Sequence, residues 1–371
     1  MKTAALGLVV LGILASAPGV LASGPTPGHT YRIAFNPQLT THVPVDAVPS
    51  GPPLLFSDRP ESVTRPALLA EGHLAGHFRL MYYELNTATI PMYFAAVLSN
   101  PGRRPVTVRV RHAGFGAAGP GEYNLAGQTQ EYGFFHTTRT WTIRVPAHSM
   151  AFLDPRVLKQ PTKFGTLDTA LYDLISSGPV TAMVVALAKP SLGEVGTLKP
   201  LRLPHGVGAG LGTFLRSDRT VTVSDHGQLE TFWLASGQGQ DPYGIGYDAL
   251  HRNRAVDVGN YGFLYHVRID YTATRSGPVR VAITSASQHQ AQADVLLSAV
   301  VDATGTPAGA LKVPTDNGYS VTNPHHAVYI EGATLRSGQH HEFSFWFLPA
   351  AGCDAIANVS ILPPGEALGP L

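Results

Sequence analysis

The sequence predicts an all-β protein: two β-sandwich (immunoglobulin-like) domains after a signal peptide. Three observations carry this. Gly (39) and Pro (30) are abundant in 371 residues, and both residues oppose long helices. Apolar and polar residues alternate with period two in many short runs, the pattern of half-buried antiparallel strands. Cys353 is the only cysteine, so no intramolecular disulfide can form, and the 44% hydrophobic content must supply stability through core burial.

The N-terminus reads as a secretory signal peptide over residues 1–22. Lys2 is followed by the apolar run Ala4–Leu14 and by small residues, with cleavage expected after Ala22 and Ala17 as the alternative. No later segment is long and apolar enough to span a bilayer. The expected location is therefore secreted or cell-wall associated, with no membrane span after cleavage. Residues 23–72, rich in Pro and Gly, read as an extended leader.

The first sandwich is expected over 73–200. Met92, Phe94, Ala96 and Leu98 alternate, and Ser99-Asn100-Pro101-Gly102 is a turn. Val106, Val108 and Val110 alternate with Thr107, Arg109 and Arg111, and Trp141, Ile143 and Val145 with Thr142 and Arg144. Thr181–Leu187, nearly all apolar, reads as a central strand, and Leu167–Ile175 as a short helix stopped by Ser176-Ser177-Gly178-Pro179. The Gly- and Pro-dense stretch 189–212 is the expected boundary.

The second sandwich is expected over 201–371. Val221 and Val223 open it. Tyr261, Phe263, Tyr265, Val267, Ile269 and Tyr271 form the longest alternation in the chain. Val279–Ile283, Phe343–Phe347 and Val359–Ile361 follow. Phe343, Phe345 and Phe347 are expected on one buried face near Phe263 and Tyr265.

Charge and motifs narrow the function. Formal net charge is +1 with no evident basic stripe in the linear sequence, which argues against a nucleic-acid partner. No zinc-protease, nucleophile-elbow or P-loop motif is present. His73 and His77 flank Gly76, and His325-His326 and His340-His341 point to opposite faces of a strand, so no metal site is assigned. No cofactor and no catalytic residue are assigned.

The most distinctive stretches are Gly212-Thr213-Phe214…Asp218-Arg219, Asp241-Pro242-Tyr243-Gly244 and Gly259-Asn260-Tyr261-Gly262. Together with Ser57-Asp58-x-Pro60-Glu61 and Gly259–Tyr265, they resemble a family of uncharacterised secreted proteins of Gram-positive bacteria. Members often carry a small copper amine oxidase N-terminal-like domain, which is missing here, so no copper or quinone chemistry is implied. Leu211 stands where the family pattern has an Arg. The resemblance implies an extracellular or wall-associated β protein.

The residues themselves predict that the three stretches converge. Asp218, Arg219, Asp241, Tyr243, Asn260 and Tyr261 would then form either a shallow ligand site, with Tyr243 stacking on a sugar, or a structural corner. The expected function is a secreted non-catalytic cell-envelope or matrix protein with a cell-wall or extracellular polysaccharide as partner. The alternative is a secreted hydrolase acting on wall or extracellular glycans through a carboxylate or His constellation.

Overall fold

A computed structural model describes residues 25–36, 40–58, 62–201, 210–225, 227–239, 241–285, 299–302, 311–312, 326–350 and 356–370. The expected signal peptide and Cys353 lie outside them. The protein is all-β: among the described residues strands build three sheets, and helix is confined to short segments. Among the described residues no helix is long and apolar enough to cross a membrane.

Two strands of 20 and 21 residues organise the first half. Ala67–Asn86 and Leu167–Leu187 pair antiparallel along almost their whole length. The ladder breaks between Ser176 and Val180, opposite Gly76, which has a left-handed φ of 66°. Both strands bend there, a position suited to Gly and to the Gly178-Pro179 pair. On one side of the bend, Leu167–Ser176 also pairs with Val106–Ala118. On the other side, Thr181–Leu187 pairs with Tyr93–Asn100. The two arms enclose one core, in which Leu80, Tyr172 and Val108 meet Leu69, Val184 and Phe94.

Leu167–Ile175 is therefore strand, correcting the expected helix. It is buried on both faces: Leu167 and Leu171 enter one core, and Ala170, Tyr172 and Leu174 the other. Apolar residues on both faces erase the period-two signal and leave spacings that mimic a helix.

The helix lies instead at Tyr123–Phe135, where the sequence reading places none. It lacks a side-chain N-cap and carries Gly127 and Gly133. It packs on Val106–Ala118 at two glycines. A Cβ on Gly114 would stand 1.7 Å from the Gln130 carbonyl, and one on Gly116 1.9 Å from that of Ala126.

Two six-stranded sheets make up the rest. One runs in the order Glu230–Leu234, Ala357–Leu362, Gly277–Ser285, His326–Leu335, Thr30–Ile33, Leu368–Gly369. The other runs Leu311–Lys312, Ala299–Asp302, His340–Pro349, Leu264–Thr272, Asp218–Asp225, Asp46–Ser50. Their inner faces share a core containing Val267, Ile269, Phe343 and Phe345 from one sheet and Val281, Ile283, Val359 and Ile361 from the other. Phe343, Phe345 and Phe347 are all buried, and the Phe347 and Tyr265 rings meet edge to face at 5.6 Å.

Two expected boundaries shift. The described residues between 25 and 72 do not form an extended leader. Thr30–Ile33 pairs with His326–Leu335, Asp46–Ser50 with Asp218–Asp225, and Leu54–Ser57 with both Ala67–Asn86 and Leu211–Phe214. Nor do the sheets separate at residue 200, because Leu211–Phe214, Gly244–Asp248 and Asn253–Asp257 extend the first sheet. Leu54, Phe56, Met81 and Tyr83 join the same core as the two six-stranded sheets. Period-two patterning identifies strands but does not name their partners, so these long-range pairings leave no mark in the alternation.

Buried carboxyls sit at several joints. Asp225, hydrogen-bonded to Glu230 and buried, is pushed up to about 7. Burial likewise lifts Glu331 to about 7, although it accepts a hydrogen bond from the Ser344 N–H. A carboxyl raised in the fold holds its proton more tightly than the unfolded chain does. Its stabilising contribution is full at low pH and is lost as pH climbs from about 4 to about 7. The melting temperature of the wild type is expected to fall between pH 5 and pH 8, and Asp225→Asn should flatten that slope. A slope unchanged in the variant, measured by calorimetry, would remove Asp225 from the account. Phe345→Ala should cost roughly 3–5 kcal/mol in denaturant unfolding, the range for emptying an aromatic core position. A loss under about 1 kcal/mol would place Phe345 outside the core.

Candidate ligand groove

A groove of about 620 Å³ opens beside the long paired strands, lined by Phe115, Gly116, Ala117, Thr129, Asp154, Arg156, Val157, Lys159, Gln160 and Asp168. The helix on Gly114 and Gly116 supplies one wall through Thr129. Phe115, between those glycines, points the other way because successive strand residues face opposite sides. It is 37% exposed and meets Tyr172 edge to face at 5.5 Å.

The opposite wall is a short 3-10 turn, Pro155–Lys159, begun by Asp154. The Asp154 carboxylate accepts from the Arg156 backbone N–H at 2.9 Å and from Arg156 Nε at 2.8 Å, and the guanidinium closes a second bond to the other oxygen. Asp154 is only 2% exposed, and this paired hydrogen bonding offsets the burial of its charge. The Arg156 guanidinium lies 4.5 Å over the Trp141 ring and 5.9 Å from that of Phe115. Trp141 is anchored in turn by its indole N–H, which donates to the Leu153 carbonyl at 3.0 Å. Ring, cation and carboxylate are thus held as one rigid unit.

Asp168 forms the floor. It accepts from the Thr162 hydroxyl at 2.8 Å, and burial pushes it up to about 6. The Tyr82 and Tyr172 phenols lie deeper, and burial raises both well above the usual phenol range.

The sequence-predicted residues lie elsewhere. Their three segments do converge, around Asp241. The Asp241 carboxylate accepts from the Ala235 N–H at 2.7 Å and from the Tyr265 hydroxyl at 3.1 Å, and burial lifts it to about 6. Asn260 accepts from the Gly244 N–H at 2.7 Å and donates to Tyr265 Oη at 2.7 Å. Arg219 stacks 4.8 Å over Phe263 and holds the Arg216 and Asp218 carbonyls. Asp241 and Asn260 have no exposed surface and Arg219 has 4%. They form an internal brace, and the shallow ligand surface expected of them is not what their burial allows.

The other three predicted residues lie around the brace. Asp218 turns away to pair with Arg79. Tyr243 and Tyr261, both half-buried, cover Gly237 and Gly259. The local reason is backbone shape: Gly259, Asn260 and Gly262 all have left-handed φ, at 111°, 51° and 73°. The groove itself escaped the sequence reading because Phe115, Asp154 and Asp168 come from three separate elements.

Asn260→Ala is expected to destabilise the fold by roughly 2–4 kcal/mol, since it leaves the buried Gly244 N–H without its acceptor, removes the hydrogen bond donated to the Tyr265 hydroxyl and strains a left-handed residue. Tyr243→Ala should cost under about 1 kcal/mol. Equal losses for the two in chemical denaturation would show that the brace does not depend on Asn260.

No family model matches the sequence, and no curated protein matches it. Among solved structures, a blue copper oxidase from Nitrosomonas europaea aligns over 86% of this chain and 85% of its own at 9% identity. Its TM-score of 0.10 is too low to carry an argument about fold or function.

Proposed function

We propose that the protein is an extracellular, non-catalytic envelope or matrix component that binds polysaccharide in the Phe115–Arg156 groove. The observation that supports this best is the fixed pairing of an exposed aromatic face with a rigid array of hydrogen-bonding groups. A sugar ring offers an apolar face and a rim of hydroxyls. Phe115 meets the first, and Arg156, Gln160, Thr129 and Asp168 are placed for the second. Because Arg156 is already locked on Asp154, little side-chain freedom is left to lose on binding.

A second reading has its own observation. Two carboxyl groups line one groove, and Asp168 is lifted to about 6, the range of a general acid. Against a hydrolase stands Asp154, whose two oxygens are both engaged by Arg156, so it is not free to act as nucleophile or base.

The readings separate experimentally. The wild type should be retained on isolated cell-wall polysaccharide, and Phe115→Ala should weaken retention about tenfold or more while the melting temperature moves little. Retention unchanged by Phe115→Ala would move binding away from the groove. Release of reducing ends by the wild type, lost in Asp168→Asn, would establish the hydrolase instead.

A further inference from the structure

One sheet face outside the groove carries a concentration of positive charge that the near-neutral net charge conceals. Residues 101–121 contain Arg103, Arg104, Arg109 and Arg111 and no Asp or Glu, and residues 136–153 add Arg139 and Arg144 with no acid. Strand alternation then sorts these residues. On Val106–Ala118 the valines at 106, 108 and 110 face the core, and Thr107, Arg109 and Arg111 are exposed. On Trp141–Val145 the exposed positions are Thr142 and Arg144.

The ladder sets Arg144 beside Thr107, and Arg109 beside both Thr142 and Ile175. Neighbouring strands lie about 4.8 Å apart, which sets Arg109 and Arg144 close together, and Arg111 follows at the register shift where Asp173 pairs with His112 and Leu174 with Val110. Arg103 and Arg104, also exposed, lie on the turn that feeds this strand. The same strand is covered further along, where Gly114 and Gly116 admit the helix. The arginines begin where that cover ends.

Neutralisation on this face is sparse. Asp173 is buried and engaged by Arg79 and His77, with Arg111 at 3.9 Å. Among the described residues Arg103, Arg104, Arg109 and Arg144 have no carboxylate within ion-pair distance. Like charges placed side by side on a sheet repel and lower stability. Ile175, 41% exposed among them, adds an apolar contact.

We infer that this face, with Arg109, Arg111 and Arg144 at its centre, binds a linear carboxylate-bearing polysaccharide. The charge is complementary to a polyuronate, the exposed arginines spread over two neighbouring strands and the turn beside them, and the site shares no residue with the Phe115 groove. Binding comes from several exposed ion pairs, each weak, and is therefore steeply dependent on salt.

The test uses the full chain and fluorescently labelled polygalacturonate oligomers, with dextran and a short DNA duplex as comparisons. Binding is expected to polygalacturonate at low ionic strength, with none to dextran at this face, and to vanish by about 0.5 M salt, where screening acts within a few ångströms. The triple variant Arg109→Ser, Arg111→Ser, Arg144→Ser should bind roughly tenfold more weakly or worse. The matched variant Arg254→Ser, Arg268→Ser, Arg336→Ser has the same net charge, and its three positions are exposed elsewhere. It should bind as the wild type does.

The first triple variant should also melt at a higher temperature at low salt, because repulsion is relieved. That result shows that lost binding is not lost folding. Equal weakening by both triple variants would reduce the effect to net charge and overturn the proposal. So would no binding to polygalacturonate, or tighter binding to the DNA duplex than to polygalacturonate of equal charge, which would make the face a nucleic-acid surface.

Discussion

The ladder between Ala67–Asn86 and Leu167–Leu187 is the constraint on which the rest of the structure depends. Each strand is about three times an ordinary strand in length, and a flat ribbon of that size would leave one face in water. Bending at Gly76 and Ser177–Pro179 folds the ribbon onto itself and closes a core between its arms. The outer surface of one arm becomes a floor for the helix and for part of the larger core. Both candidate surfaces are products of this bend. The groove lies where Phe115 stands beside the ladder and Asp168 within it, and the arginine face lies where the helix leaves the neighbouring strand uncovered.

Polar groups join the elements that apolar burial alone would leave loosely oriented. Arg79 reaches from the long strand to Asp218, at the start of a strand in the other assembly, and Arg79 also holds Asp173. Around Asp241 and Asn260, one carboxylate and one amide satisfy backbone and phenol groups from several turns at once. Such networks orient elements when fully satisfied and are costly when one member is removed. They also explain why the most distinctive sequence motifs are not the most accessible ones.

What could be read from the sequence followed the physics of half-buried strands. Val106–Val110, Trp141–Val145 and Phe343–Phe347 bury one face each and therefore announce themselves by alternation. Leu167–Ile175 buries both faces and is disguised as a helix. The true helix is hidden by its glycines and its missing cap. The convergence of the Gly259–Gly262 turn with Asp241 was legible because left-handed backbone demands Gly or Asn there. The groove was not, since Asp154 and Arg156 read as an ordinary loop and Phe115 as one apolar residue among glycines. The arginine face was half-legible: Arg109 and Arg111 alternate visibly, but only the ladder brings Arg144 beside them.

The strands near the start of the chain have a kinetic consequence. Thr30–Ile33 finds its partner at 326–328, and its other edge is closed by Leu368–Gly369. That sheet cannot be completed until residues 368–369 are available, so its assembly closes a loop of more than 300 residues, carries a large loop-closure cost and is expected to be slow. A chain made from its N-terminus holds Thr30–Ile33 unpaired until residues 326–328 have been made. Its apolar position Ile33 is exposed to misassociation until then. A fragment that lacks either partner of this strand retains an open edge.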